Sequence, residues 1–547
     1  MQPNIYNQPP MQGMMPPPPP PMPGPMPPHG GMPPHGGMPP QPPMQAPRRA
    51  RTWRERLLGG GSARPLTLMQ ERTIPNWLIG KSVLFFFIAF IACTVVWGYP
   101  MEMRYAIISS LSVLLFFYGS RAGSQSWASK GEKTFIKNVF ILGLCARLLW
   151  VFYCYFFFNL DYYGTTYGDT ADVDWYMPFG EAIAEWIRGN EHMSLGELMD
   201  IWNSAIDDVG YPFWLAVLNI LTFGKSDVFV PMVVKCIVGA YCAICIYHIA
   251  ERHFGEGAAR MGALFVALNP NMIYWCGNMF KEAELMFVCC LCVDLVDSTF
   301  TSGSKLTFKS LLPGLLVGSY LLFFRAALAI VMFLAMFSHI VMASNKVMSF
   351  GKKIIAGVMV GVVLLVGIGD RLRTQTESIV ETVQSDKQKQ NMEWRAKSKG
   401  GNEFAKYAGK AVFAPLIFTI PFPSFNIAQE SQILQRQLSG GNYIKNMFSF
   451  FVIYVMIMML ISRDWRRHVY IIAYTGGYLA CLALSNFAQS SRFHMPIWPM
   501  LMLFAAYGIQ IAKTNPSVRK WYPMALVFEV VACLAWNWFK LKGRGMI

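Results

Sequence analysis

Charge is scarce in this chain: Asp, Glu, Lys and Arg make up 14% of its 547 residues, where soluble proteins carry roughly a quarter. With 54% hydrophobic residues and a positive mean hydropathy, that scarcity excludes an ordinary soluble domain. Apolar runs of about 13 to 22 residues separated by short charged loops also exclude a membrane barrel, whose strands alternate polar and apolar over about ten residues. No CxxC pair is flanked by His, and no even set of cysteines lies in a soluble loop. The twelve cysteines, Cys93 to Cys533, sit in or beside apolar segments and read as buried thiols without disulfide or metal roles. The first 80 residues hold no signal-peptide pattern, because the first apolar segment follows a hydrophilic lead. The formal net charge of +16 does not point to nucleic acid, since Lys and Arg fall mainly in short loops between apolar runs, where topology and anionic lipid account for them.

What is present is a helical membrane protein with a long N-terminal lead. Residues 1–47 consist largely of Pro, Met, Gly and Gln and include PPHGGMPPHGGMPP, a composition that cannot bury a core and predicts a disordered cytoplasmic tail. His29 and His35 belong to this solvated tail. The segment 48–81 opens with the basic patch RRARTWRER, Arg48 to Arg56, expected on the cytoplasmic face. Apolar runs then predict helices over 82–99, 105–118 and 139–160, followed by 211–223, 228–250, 259–275, 283–297, 310–324, 326–343, 354–369, 443–462, 469–485, 496–512 and 523–537. The run at 211–223 is short enough to only dip into the membrane. The last, in the C-terminal segment 513–547, can be interfacial.

Basic loops set the orientation. Arg121, Lys130, Lys133 and Lys137 belong inside with the N-terminus, which puts 161–210 outside. That loop has eleven Asp or Glu and only Arg188 as a strong base, and a second outer region is expected over 370–442. The acidic loop carries two amphipathic patterns. Tyr176, Phe179, Ile183 and Trp186 with Ile187 share one face, which suits a helix lying along the membrane surface; Ser194 and Glu197 have capping-box spacing before Leu198, Trp202 and Ile206.

Asp169, Asp172 and Asp174 fall within six residues of this loop. One of Asp172 and Asp174 can cap the first amphipathic helix, and a solvated loop can carry the others. A carboxylate at the mouth of a helical bundle can also act as general base towards a hydroxyl, or hold a divalent cation. The same topology brings Lys281, Glu282, Arg325, Arg492 and His494 to the outer ends of apolar segments, where charge is a functional pointer unless it snorkels to the interface. Three cations opposite carboxylates suit a phosphate-bearing lipid whose other part reacts with a base.

An ordered series of motifs resembles the membrane glycosyltransferases of the GT-C class, notably the dolichyl-phosphate-mannose protein mannosyltransferase-like group (glycosyltransferase family 39-related). It runs from DVDWYMPFGEAIA through GYPFWLAVLNILTFG, IYHIAERHFGEGAARMGALFVALNPNMIYWCGNMFKEAELMF and GLLVGSYLLFFRAALA to SSRFHMPIWPMLMLFAAYGI, covering roughly residues 80–512. The resemblance implies an all-α polytopic bundle of about 11–14 transmembrane or re-entrant helices over 82–512, its outer loop carrying interfacial helices. It implies a transferase that takes a sugar from a polyprenyl-phosphate carrier and passes it to a glycolipid, polysaccharide or protein outside, with a loop aspartate as base and usually inversion at the anomeric carbon. By motif position the base is Asp172. This chain has Val173 where the family has the second residue of an Asp-Glu pair, so Asp169 and Asp174 stay as alternates. By position, Lys281, Arg325 or Arg492 meets the donor phosphate. No cofactor is implied beyond a possible divalent cation. The expected setting is a bacterial inner membrane with the N-terminus cytoplasmic. Against this stand a transporter or flippase of a lipid-linked or anionic solute, a non-catalytic scaffold using the proline-rich tail, and an oligosaccharide polymerase or ligase.

Overall fold

The structure is a computed structural model and describes residues 66–168, 170–190, 192–202, 204, 208–224, 228–302, 307–342, 414–425, 437–485 and 488–547. The proline-rich tail, the helix expected over 354–369, most of 370–442, Asp169 and Ile206 lie outside the described residues.

Within them the fold is helical, with no strand. A short helix α1 (Leu68–Arg72) leads into α2 (Asn76–Trp97), which Gly98 ends in the left-handed conformation, donating its N–H to Thr94 O at 3.1 Å. Next come α3 (Met103–Ser126) and α4 (Glu132–Tyr163). The acidic loop supplies α5 (Thr170–Ile187), α6 (Leu195–Ile201) and the short α7 (Gly210–Leu221). Beyond it lie α8 (Phe229–Phe254), α9 (Glu256–Ala267), α10 (Pro270–Tyr274), α11 (Glu282–Thr301), α12 (Phe308–Phe324) and α13 (Ala326–Met342). The chain closes with α14 (Ser439–Ser462), α15 (Val469–Leu484), α16 (Ser491–Thr514) and α17 (Pro516–Lys542).

Among the described residues seven helical stretches are long and apolar enough to cross a bilayer: α1 with α2, α3, α4, α8, α14, α16 and α17. Helices α7, α12 and α13 are apolar but shorter. The protein is a polytopic integral membrane protein. On α2, Leu84, Ile88, Ile91 and Val95 stay exposed along one side, the apolar surface that lipid covers, while Leu78, Phe86 and Cys93 face the core.

The structure adds detail to two expectations and corrects a third. Part of the apolar face of α5 is covered by protein: Phe179, Ile183 and Ala184 pack with Leu198 of α6, with Val209 and with Ala216 of α7 into a small core of their own, while Ile187 stays exposed. The Ser194–Glu197 capping box is present, and it starts the helix that closes this core. Second, the described part of 370–442, residues 414–425, threads into the bundle. There Asn537 Oδ1 accepts from Phe425 N at 2.9 Å, Ser439 Oγ donates to Ser424 O at 2.8 Å, and Asn446 donates to Pro421 O at 3.0 Å.

Third, the run 259–275 is two helices. Helix α9 stops at Ala267, and its last carbonyls meet Arg147 of α4, a wholly buried side chain. Its Nη1 donates to Ala267 O at 2.8 Å and its Nη2 to Val266 O at 3.2 Å, which suits a cation at a helix C-terminus. Asn269 then caps α10, accepting from Asn271 N at 3.1 Å, with Pro270 in the first helical position. Residues 275–281 continue without α-helix, and side chains from neighbouring helices satisfy their carbonyls. Asn159 donates to Gly277 O at 3.1 Å, and Lys235 to Asn278 O at 2.8 Å. Irregular backbone inside a membrane protein persists where protein groups take over the hydrogen bonds.

Candidate functional site

The irregular stretch delivers Lys281 to the start of α11, with Glu282 and Glu284 in the first turn, where the positive end of the helix dipole favours carboxylates. Arg325 sits at an extended break (φ −169°) between α12 and α13. Arg492 lies in the first turn of α16, Asp172 in the first turn of α5, and Asp208 just before α7. Five helix N-termini thus carry or flank these charges.

Arg492 is the centre. Its Nη1 lies 2.5 Å from Asp172 Oδ2, its Nε donates to Glu282 Oε1 at 2.5 Å, and its guanidinium sits 4.5 Å from the Phe280 ring centroid. Arg325 Nη2 is 3.9 Å from the same Glu282 oxygen. Arg325 also donates to Tyr478 OH at 3.2 Å, which donates onward to Phe493 O at 3.0 Å, and it covers the Phe493 ring at 4.4 Å. Beside this chain Lys281 pairs with Asp208, donates to Phe324 O at 3.1 Å and lies 5.9 Å from the Tyr176 ring. Burial pushes the Tyr176 hydroxyl well above its usual value, and nearby Glu282, Asp208 and Asp172 add to that rise.

The carboxylates divide into two kinds. Glu282 is wholly buried, whereas the Asp172 and Asp208 side chains are 40% and 50% exposed. Glu282 Oε2 has no hydrogen-bond partner. Three cations face three carboxylates, so the cluster is formally neutral. Deeper in, Lys235 Nζ lies 3.6 Å from Glu284 Oε2 and 5.1 Å from the Tyr211 ring.

Asp172, Lys281, Glu282, Arg325 and Arg492 therefore meet in one place. His494 does not join them: buried on the other side of its tight turn, its Nε2 donates to Ala488 O at 2.8 Å. Asp174 is exposed and accepts from Tyr167 OH at 3.1 Å. Since α5 already begins at Thr170, Asp172 and Asp174 lie within the helix and not at its cap. Asp208, Tyr478, Lys235 and Glu284 are additions that the sequence reading lacks. Lys235 had a signal, a lone cation inside the apolar run VPMVVKCIVGA. Asp208 had none beyond membership of an acidic loop.

A second charged cluster occupies the far end of α11, fifteen residues or about 22 Å along the helix. Arg252 Nε and His253 Nε2 each reach one oxygen of buried Asp297 at 2.7 Å, and Arg252 Nη2 reaches Asp294 at 2.7 Å. His253 Nδ1 and His468 Nδ1 share a hydrogen bond of 2.8 Å. Burial, then the neighbouring His253, holds the His468 imidazole below its usual value.

Among the described residues no carboxylate set fits a divalent cation. Asp172 and Glu282 are both engaged by Arg492, and among the described residues no group of three or more His, Cys, Asp or Glu is arranged to hold a metal ion. None of the twelve cysteines forms a disulfide; ten are buried, and Cys145 and Cys481 are exposed. No family model, no curated protein and no solved structure matches the chain, so a functional reading stands on its residues and their geometry.

Proposed function

We propose that the protein is a membrane glycosyltransferase of the GT-C type that moves a sugar from a polyprenyl-phosphate-linked donor to an acceptor at the outer face of the membrane. The observation that carries the reading is the Arg492 guanidinium shared between Asp172 and Glu282, with Arg325 behind it. Phosphate oxygens replace carboxylate oxygens readily on such a guanidinium. In the proposed reaction Asp172 takes the proton of an acceptor hydroxyl. The acceptor oxygen bonds to the anomeric carbon while the bond from that carbon to the phosphate oxygen breaks, and the departing lipid phosphate keeps the electron pair beside Arg492, Arg325 and Lys281. The protein's work is then positioning and charge stabilisation. Glu282, wholly buried, keeps the two arginines oriented.

Mass spectrometry of lipid-linked sugars and envelope glycans tests the reading in cells with the protein, without it, and with Asp172→Asn. One lipid-linked sugar is expected to accumulate, and one glycan to lose a residue, in both altered strains. Unchanged pools in the deletion strain would rule the reading out.

A transporter of a lipid-linked or anionic solute is the second reading, favoured by the interrupted path from α9 to α11. It requires substrate to cross proteoliposomes containing the protein with no covalent product.

A further inference from the structure

The charge cluster is paired on its outer side by carboxylates that are easily displaced, and that pairing indicates the ligand it is built for. We infer that the site takes a donor with two adjoining anionic groups, a lipid-linked diphosphate in preference to a monophosphate, with Asp172 and Asp208 holding the two cation positions until it arrives. The inference rests on the glycosyltransferase reading and deepens it by naming the donor class.

Two cation positions are occupied separately. Arg492 holds Asp172 and Lys281 holds Asp208, and both carboxylates come from the acidic-loop segments, about half exposed. The carboxylate side of each pair is open to water while its cation is more buried, Arg492 at 22% and Lys281 at 5%, so an arriving anion can take the carboxylate's place from the rim. The third carboxylate, Glu282, is buried between Arg492 and Arg325 and stays. When the two outer carboxylates swing away, Lys281, Arg325 and Arg492 face Glu282 alone, an excess of two positive charges. A sugar joined to a lipid through one phosphate carries a single negative charge. A sugar joined through a diphosphate carries two, which matches.

The cations do not depend on those carboxylates for their positions. Phe280 underlies Arg492, Phe493 underlies Arg325, and Lys281 keeps its bond to Phe324 O. Tyr176, only 4% exposed, stands beside Lys281, whose Nζ lies 5.9 Å from its ring. The unpartnered Glu282 Oε2 is a ready acceptor for a hydroxyl of the incoming ligand. One consequence concerns timing: the base becomes available to an acceptor when the donor takes Arg492 from it, so donor binding precedes proton transfer.

The test uses the purified full chain in lipid nanodiscs and compares farnesyl diphosphate, farnesyl monophosphate and inorganic pyrophosphate by direct binding. Each farnesyl probe is used as its terminal methyl ester, so that the two carry two negative charges and one, like the sugar-linked donors. Farnesyl diphosphate is expected to bind at least about tenfold tighter than the monophosphate, the worth of one further charge-assisted hydrogen bond. Lys281→Gln is expected to erase that margin. Asp208→Asn, at a half-exposed position that tolerates substitution, is expected to tighten farnesyl diphosphate about threefold to fivefold by removing a competing carboxylate. Because Lys281 is nearly buried, the Asp208→Asn arm decides alone if the Lys281 variant does not fold. Equal affinity for mono- and diphosphate overturns the two-anion site and leaves the glycosyltransferase reading standing. Weaker binding in Asp208→Asn overturns the placeholder role. Pyrophosphate binding as tight as farnesyl diphosphate overturns a lipid-linked ligand in favour of a soluble one. No binding of any probe to the folded chain overturns both readings.

Discussion

The two ends of α11 carry charge clusters of similar composition and different completeness. At the Asp297 end both carboxylate oxygens are used, one by Arg252 and one by His253, and Arg252 reaches on to Asp294. At the Glu282 end one oxygen serves two arginines and the other has no partner, while the outer carboxylates are half exposed. A buried ion cluster with every valence filled holds helices together; one that leaves a buried oxygen open and its rim displaceable is arranged to exchange partners. Charge and burial alone do not separate the two clusters, but hydrogen-bond completeness does.

That contrast breaks most easily at Asp172. Asp172→Asn is expected to lower transfer by about a hundredfold or more while thermal unfolding in detergent stays near wild type, because a half-exposed side chain adds little to stability and a general base adds much to rate. At the other end the dissociation reverses. Asp297→Asn leaves Arg252 and His253 facing a neutral amide and is expected to destabilise the protein by about 3 kcal/mol, read as an earlier unfolding midpoint, with farnesyl diphosphate binding per folded molecule unchanged. If Asp297→Asn altered ligand affinity and Asp172→Asn altered only stability, the assignment of the two ends would be inverted.

A finer probe is Tyr478→Phe, which removes the hydroxyl between Arg325 and Phe493 O. Its expected effect is about a fivefold rise in KM for donor with kcat little changed, from one lost hydrogen bond to a charged group that still has its Phe493 and Glu282 contacts. The smallest effect is on pH dependence. His468 has a lowered folded pKa, so the unfolded chain binds more protons as pH falls, and the stability it contributes is present above about pH 6.5 and declines below it. His468→Asn, followed by unfolding midpoints from pH 7.5 to 5, should flatten part of that decline, with Asp464, Arg467 and His253 still facing the position.

How much of this was legible follows from how each residue stands out against its surroundings. Lys281, Glu282, Arg325 and Arg492 interrupt apolar runs, where an ionised group is conspicuous, and the alternation of basic loops was enough to predict that they share one end of the bundle with the acidic loop. Asp172 was found by its place in a motif. Asp208 was hidden as one acid among eleven in its loop, distinguished only by folding next to Lys281. The position of His494, two residues from Arg492, suggested a shared role; a tight turn points the two side chains to different partners, a detail that periodicity does not carry. The division of 259–275 was invisible because apolar residues continue through it, and only the carbonyl acceptors, which have no sequence signature, change partners. The small core beneath α5 was not legible because an amphipathic stripe reports that a face is buried without reporting what buries it.

The meeting of Arg147 with the end of α9 has a consequence for biosynthesis. Helix α9 is twelve residues long, about 18 Å, too short to cross a bilayer and left with open carbonyls at an apolar depth if it enters lipid alone. Arg147 is an equally poor lipid residue by itself. Each corrects the other's defect: α4 is long and apolar enough to span alone but carries one costly side chain, and α9 is too short to span but offers that side chain its carbonyls. The two acceptor carbonyls lie 120 and 119 residues beyond Arg147 in the chain, so the buried guanidinium is satisfied only once α9 has followed α4 into the bundle.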